Sequence, residues 1–143
     1  MKRIDIINGA NLNMIGYREK DTYGNTSLEK INEKCIEQGK KHNIEVKTYH
    51  SNIEGELINY IHSLYNKSNG IIINAGAYTH YSIAIRDALL SISIPFIEIH
   101  ISNIFKREKI RHKSILSDKA SGIICGFGEY TYYLAIEAIK NII

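Results

Sequence analysis

Tryptophan is absent from the 143-residue chain, proline occurs once, at Pro95, and cysteine twice, at Cys35 and Cys125. A single proline leaves no Pro-rich linker at which to divide the chain, and the length fits one domain of about 100–200 residues. Two distant cysteines match no metal-ligand spacing and build no disulfide framework, so they read as reduced packing residues in a reducing compartment. No apolar run approaches the roughly 18 residues of a membrane span, and the opening MKRIDIINGANLN turns polar after one stretch of strand length. The expectation is a soluble, cytoplasmic protein with no membrane partner. Charge of one sign is scarce as well: 18 Lys and Arg against 15 Asp and Glu leave a net charge of +3. That excess is too small to indicate a nucleic-acid surface and suits small acids as partners. The six histidines show no H-x-x-x-H spacing, no Walker lysine pattern exists, and CGFGEYT has Thr131 where a dinucleotide fingerprint wants a third glycine.

What is present is an alternation of short, isoleucine-rich apolar runs with segments of helical period. The runs at 3–8, 44–50, 70–74, 96–100 and 122–125 have the length and composition of buried strands. Thr26-Ser27-Leu28-Glu29 and Ser51-Asn52-Ile53-Glu54 each fit a capping box. Behind them Leu28, Ile31, Cys35 and Ile36, then Leu57, Ile58, Ile61, Leu64 and Tyr65, recur at helical spacing. A third helix is expected over 81–91 and a fourth from 129 to the end, with Tyr132, Tyr133, Ile136, Ile139 and Ile143 inward. Five strands alternating with helices imply parallel pairing, right-handed crossovers and helices on both faces. The expected fold is a flavodoxin-like three-layer α/β/α sandwich with a five-stranded parallel sheet, one domain over 1–143.

Open parallel sheets bind ligands beyond the carboxyl ends of their strands. Here those ends carry Asn8, His50, Asn74 and His100, with Asn11, His80 and Ser102 just beyond, a set suited to a polyhydroxylated molecule. A receiver domain would want an acid where Asn74 stands. The connection at 9–25 is far longer than the usual two to six residues, and its glycines at 9, 16 and 24 give it the hinges of a lid. It holds Arg18 and Tyr23, five residues apart. Lowering a phenol from pKa near 10 by two to three units takes roughly 3–4 kcal/mol. A guanidinium about 4 Å away supplies that much at an effective dielectric near 20. The pair therefore suits a general base, while cation–π packing is the more frequent outcome of the same spacing. In PFIEIHIS, Glu98 and His100 fall two apart, so both side chains share one face at a strand's carboxyl end. The carboxylate can orient and charge the imidazole as a general acid, or the two can form a buried ion pair. Backbone N–H groups of Ile101 and Ser102 beyond that strand suit a substrate carboxylate. The run KREKIRHK at 106–113 reads as a solvated face with one arginine turned to the ligand.

Taken in order, INGANLNMIGYREKDTYG, NAGAYTHYSIAIRDAL, IEIHISN and EKIRHKS resemble the type II 3-dehydroquinate dehydratases over nearly the whole chain. Two departures are Ala10, where proline is usual after N-G, and Ala77, where many members carry a second glycine. The resemblance implies dehydration of 3-dehydroquinate to 3-dehydroshikimate by anti elimination through an enolate, with neither metal nor organic cofactor. It implies Tyr23 as base with Arg18 depressing its pKa, Asn11 holding the water at the enolate oxygen, and His100, paired to Glu98, as acid. Asn74, His80 and Arg111 would hold ring hydroxyls, the Ile101 and Ser102 backbone the carboxylate, and Asp87 would reach a neighbouring subunit's site. It further implies a homo-oligomer, trimers associating into a dodecamer. Two other readings of the residues stay open at this point, a non-catalytic binding module using the same polar strand ends and a nucleic-acid-binding domain using KREKIRHK.

Overall fold

The computed structural model describes residues 1–17 and 26–143, so Arg18 and Tyr23 lie outside the described residues. Five strands form one parallel sheet: β1 (Lys2–Asn8), β2 (Ile44–His50), β3 (Gly70–Asn74), β4 (Phe96–His100) and β5 (Gly122–Cys125), in the order β2-β1-β3-β4-β5. The helices are α1 (Leu28–Lys41), α2 (Glu54–Ser63), α3 (Ile83–Ile92) and α4 (Tyr130–Ile139), joined by short 3-10 turns at Leu12–Met14, Gly76–His80, Ile104–Lys106 and Lys109–Arg111.

Alternation along the strands builds two cores. Ile4, Ile6, Ile72, Ile97 and Ile99 face α1 and α4, whereas Ile7, Ile71, Ile73 and Phe96 face α2 and α3. Strands buried on both faces need mostly apolar runs, which is why GIII is wholly apolar and IDII and FIEI each hold a single buried acid, Asp5 and Glu98, among apolar residues. Each isoleucine so buried contributes about 1.5–3 kcal/mol. Of the helix-facing residues expected inward, Leu28, Ile31, Cys35, Leu57, Ile61, Leu64, Tyr132, Ile136 and Ile139 are buried, and Ile36, Ile58, Tyr133 and Ile143 pack at the core's edge. Tyr65 is exposed instead, because the helix ends at Ser63 and Leu64 is its last inward residue. Cys35 and Cys125 are free thiols, and burial pushes the Cys35 thiol up to about 12.

The caps differ in detail from the sequence expectation. Ser27, not Thr26, caps α1 by accepting the Lys30 N–H at 3.2 Å. Ser51 does not cap α2; its hydroxyl accepts the Ile53 N–H at 2.9 Å and donates to Glu56 Oε1 at 2.6 Å, and the helix starts three residues later. Ser82 caps α3, accepting the Ile85 N–H at 3.0 Å. The fourth helix stops at Ile139 rather than continuing to the end.

The reversal of strand order between β1 and β3 opens a crevice beyond their carboxyl ends. Its two lips approach closely. Gly9 donates its N–H to Asn74 O at 2.8 Å, and a Cβ on Gly9 would stand 2.4 Å from Ala75 O. Gly76, at φ +63°, would likewise bring a Cβ 2.6 Å from Ala10 O. Gly9→Ala must therefore push backbone from backbone at the crevice. It is expected to lower unfolding stability by about 1–3 kcal/mol, read from the urea midpoint at unchanged m-value.

Candidate active site

The crevice deepens into a cavity of about 170 Å³ lined by the β1 loop (Ala10 to Leu12, Met14), the β3 turn (Asn74, Gly76, Ala77, His80), the end of β4 (His100, Ile101, Ser102, Ile104), and Arg107 and Arg111. Seven of the residues singled out in the sequence thus meet here: Asn11, Asn74, His80, His100, Ile101, Ser102 and Arg111. Glu98 stands behind His100. Asp87 is on the exposed side of α3 and does not line the cavity. Asn8 and His50, counted with the polar strand ends, do not line it either. Asn8 turns under the sheet toward α4, and His50 ends an outer strand of the sheet.

At the floor, His100 Nε2 lies 2.5 Å from Glu98 Oε2, with Glu98 fully buried and His100 5% exposed. The same carboxylate accepts Thr79 Oγ1 on Oε2 at 3.0 Å, and Ser114 Oγ and Ser117 Oγ on Oε1 at 2.9 and 2.6 Å. Burial pushes the Glu98 carboxyl up, but hydrogen bonds from His100, Ser117 and Ser114, together with the charge of His100, hold it below the ordinary value. With Nε2 given to the carboxylate, Nδ1 is the ring nitrogen that remains for a ligand. His80 stacks on His100 with ring centroids 6.5 Å apart, and its Nδ1 meets Lys113 O at 2.7 Å, which leaves Nε2.

A second network holds the opposite wall. Asn74 Nδ2 donates to Tyr132 Oη at 3.0 Å, Tyr132 donates to Asn8 Oδ1 at 2.5 Å, and Asn74 Oδ1 accepts the Gly76 N–H at 3.2 Å. Most of the Asn74 amide is therefore engaged within the protein, leaving one N–H for a ligand. Asn11 sits at φ 70°, a left-handed conformation that asparagine tolerates, and its N–H donates to Asn52 Oδ1 at 2.7 Å. Its side chain is left for the cavity. Arg111 is held by Glu108 at 2.6 Å, and Arg107 Nη1 lies 3.5 Å from Ser102 Oγ.

Sequence reasoning missed Thr79, Ser114, Ser117 and Tyr132, and it took one arginine from the basic run where two line the cavity. Hydroxyls that reach a carboxylate 16 to 19 residues away leave no local spacing to find. The tyrosines, by contrast, can be sorted by burial. Desolvation raises Tyr60, Tyr132 and Tyr133, with Asp5 adding to the first and Glu129 to the last. All three move away from the direction a base requires.

Residues 2–140 match the family model described as dehydroquinase class II. A 3-dehydroquinate dehydratase of Clostridium perfringens is 53% identical over 140 residues, 97% of each chain. A catabolic 3-dehydroquinase of Talaromyces marneffei is 53% identical over 96% of this chain and 78% of its own. The crystal structure of a type II dehydroquinase from Butyrivibrio crossotus superposes with TM-score 0.95 at 48% identity, covering 97% of both chains.

Two outcomes test this geometry. Tyr132→Phe leaves Asn74 and Asn8 without their shared partner and is expected to cost about 1–3 kcal/mol in chemical denaturation. Because the folded Glu98 carboxyl is depressed, the stability it contributes is full above the ordinary glutamate value near 4.5 and is lost as pH falls through the lower folded value. The melting temperature is expected to fall as acid is added below that pH, less steeply in Glu98→Gln.

Proposed function

The chain belongs to the dehydroquinase class II family, and on that premise we propose how its cavity carries out the family's reaction. That reaction removes water from 3-dehydroquinate to give 3-dehydroshikimate, a hydro-lyase step of the shikimate pathway. The proposal is an anti elimination in two steps. Tyr23, as phenolate beside Arg18, takes the proton α to the ketone. The electron pair moves onto the carbonyl oxygen, where a water held by Asn11 hydrogen-bonds the developing enolate. The enolate then collapses, the C1–O bond breaks, and His100 gives its proton to the departing hydroxyl, which leaves as water. Asn74, His80 and Arg111 hold ring hydroxyls, and the Ile101 and Ser102 backbone takes the substrate carboxylate.

The observation that carries this reading is the Glu98–His100 pair at 2.5 Å on the cavity floor. A buried carboxylate that accepts from one ring nitrogen favours the imidazolium and aims the other nitrogen at the ligand, as a general acid requires. Tyr23 and Arg18 come from the resemblance. Their support is that the described residues flanking them, Gly16 and Thr26, stand side by side, and Met14 just before them lines the cavity. From the resemblance, the reading has one catalytic domain per chain assembled as trimers within a dodecamer, with Asp87, exposed on α3, reaching a neighbouring subunit's site. No helix among the described residues is long and apolar enough to cross a membrane, and the reading places the enzyme in the cytoplasm.

The test follows formation of the conjugated enone by absorbance. Tyr23→Phe is expected to bind substrate yet lose turnover by at least about a thousandfold, and His100→Ala to stall after proton abstraction, detected as exchange of the α proton with solvent deuterium without net dehydration. Wild-type rates in either variant overturn the assignment.

A further inference from the structure

The basic run at 106–113 delivers two arginines to the cavity, but the residues that follow it do something different. Glu98 has two oxygens and about four lone-pair directions. All four are filled: His100 and Thr79 on Oε2, Ser114 and Ser117 on Oε1. Two of these donors come from one short segment. The same segment supplies the carbonyl of Lys113 that meets His80 Nδ1 at 2.7 Å. We propose that residues 113–117 place the proton of His80 through the Lys113 carbonyl and tune how firmly His100 holds its proton through Glu98, with Ser114 and Ser117 as positioning residues.

The chemistry follows from what each partner can do. A carbonyl only accepts, so the His80 proton is drawn to Nδ1 and Nε2 is presented to the cavity as an acceptor. A carboxylate also only accepts, so His100 keeps a proton on Nε2 and presents Nδ1. The two stacked rings thereby present different nitrogens to the cavity, Nε2 of His80 and Nδ1 of His100. Ser114 and Ser117 also divide the charge of Glu98 among neutral donors. Each such bond stabilises the anion and weakens the support it gives a cationic ring through Nε2, so a proton on Nδ1 is more readily released to the cavity.

The segment is held firmly enough for this. Ser114 Oγ accepts the N–H groups of Leu116 and Ser117 at 3.1 and 3.2 Å. Ile115 donates its N–H to Thr79 O at 2.9 Å, and its carbonyl accepts Arg86 Nη1 at 2.6 Å. Leu116 is buried in the core under α2 and α3. The charged and titratable groups around His100 are Glu98 on its own strand, Cys125 in register on β5, His80 on the β3 turn, and Arg107 and Arg111 on the cavity wall. Among these Glu98 is the one hydrogen-bonded to the ring, so a change in its own hydrogen bonds is felt directly.

The positioning role rests on the proposed acid only for its kinetic consequence; the proton placement can be read without it. The experiment is side-chain nitrogen NMR of the histidines across pH, beside the pH profile of kcat, on the full-length enzyme. Ser117→Ala is expected to move the His100 titration midpoint up by about half a unit to one unit, with its tautomer unchanged and His80 unaffected. kcat is expected to fall about threefold to tenfold with KM unchanged, and Ser117→Thr to restore both. Ser114→Ala is expected to disturb His80 as well, because that hydroxyl also closes the turn carrying Lys113. Should Ser117→Ala fail to fold, Ser117→Cys, a weaker donor of similar size, is expected to give the same direction of shift. A folded Ser117 variant with a wild-type His100 titration overturns the proposal. A shifted titration beside an unshifted kcat profile supports it and removes His100 from the acid's role.

Discussion

An ionised carboxylate buried beneath a sheet's end is the constraint around which this site is organised. Bringing such a group out of water costs several kcal/mol unless hydrogen bonds replace its hydration. Glu98 recovers that cost from four donors on three parts of the chain: its own strand, the turn after β3, and the segment after the basic run. Satisfying the carboxylate therefore brings those parts together. Once they meet, His80 and Arg111 are carried to the same cavity by short stretches of backbone on either side of Thr79 and Ser114.

The cavity floor is held from both faces of the sheet. Glu98 shares the face of Ile73, toward α2 and α3, and its hydroxyl donors lie on that side. Asn8 and Asn74 share the face of Ile6 and Ile72, toward α1 and α4, and there Tyr132 joins them. A helix packed for hydrophobic reasons thus also fixes an amide at the site. Burial holds the Tyr132 phenol neutral, so it is a donor to Asn8 and an acceptor from Asn74. Its place is explained by hydrogen bonding, with no part in proton transfer.

The strands were readable because burial on both faces demands mostly apolar runs such as GIII, with the buried Asp5 of IDII satisfied by Arg3 and Tyr60. Helix faces were readable from the period, up to the point where a helix stops: Tyr65 fits the spacing but falls beyond Ser63. Caps were harder. Ser51 has the right neighbours for a capping box, but its hydroxyl closes a tighter turn first. The Glu98–His100 relation was visible since strand alternation fixes it. The hydroxyls that complete the carboxylate were not, because contacts between distant turns depend on how layers pack and leave no periodic trace. Asn8 and His50 misled for a related reason: ending a strand puts a residue near the crevice, and the direction of its side chain then decides which layer it joins.

The two halves of the proposed chemistry need different housing. An acid that works through a buried carboxylate can be built into a strand, since its partner must be desolvated at all times and the sheet supplies that rigidity. A phenol cannot serve as base under the same conditions, because permanent burial raises it, as at Tyr60, Tyr132 and Tyr133. It needs a neighbouring cation and desolvation together with the substrate. The long β1–α1 connection, whose sequence carries Arg18 and Tyr23, is where the proposal draws both from, outside the buried strands. The proposed acid and base thus belong to different parts of the sequence, one to β4 and the other to the β1–α1 connection.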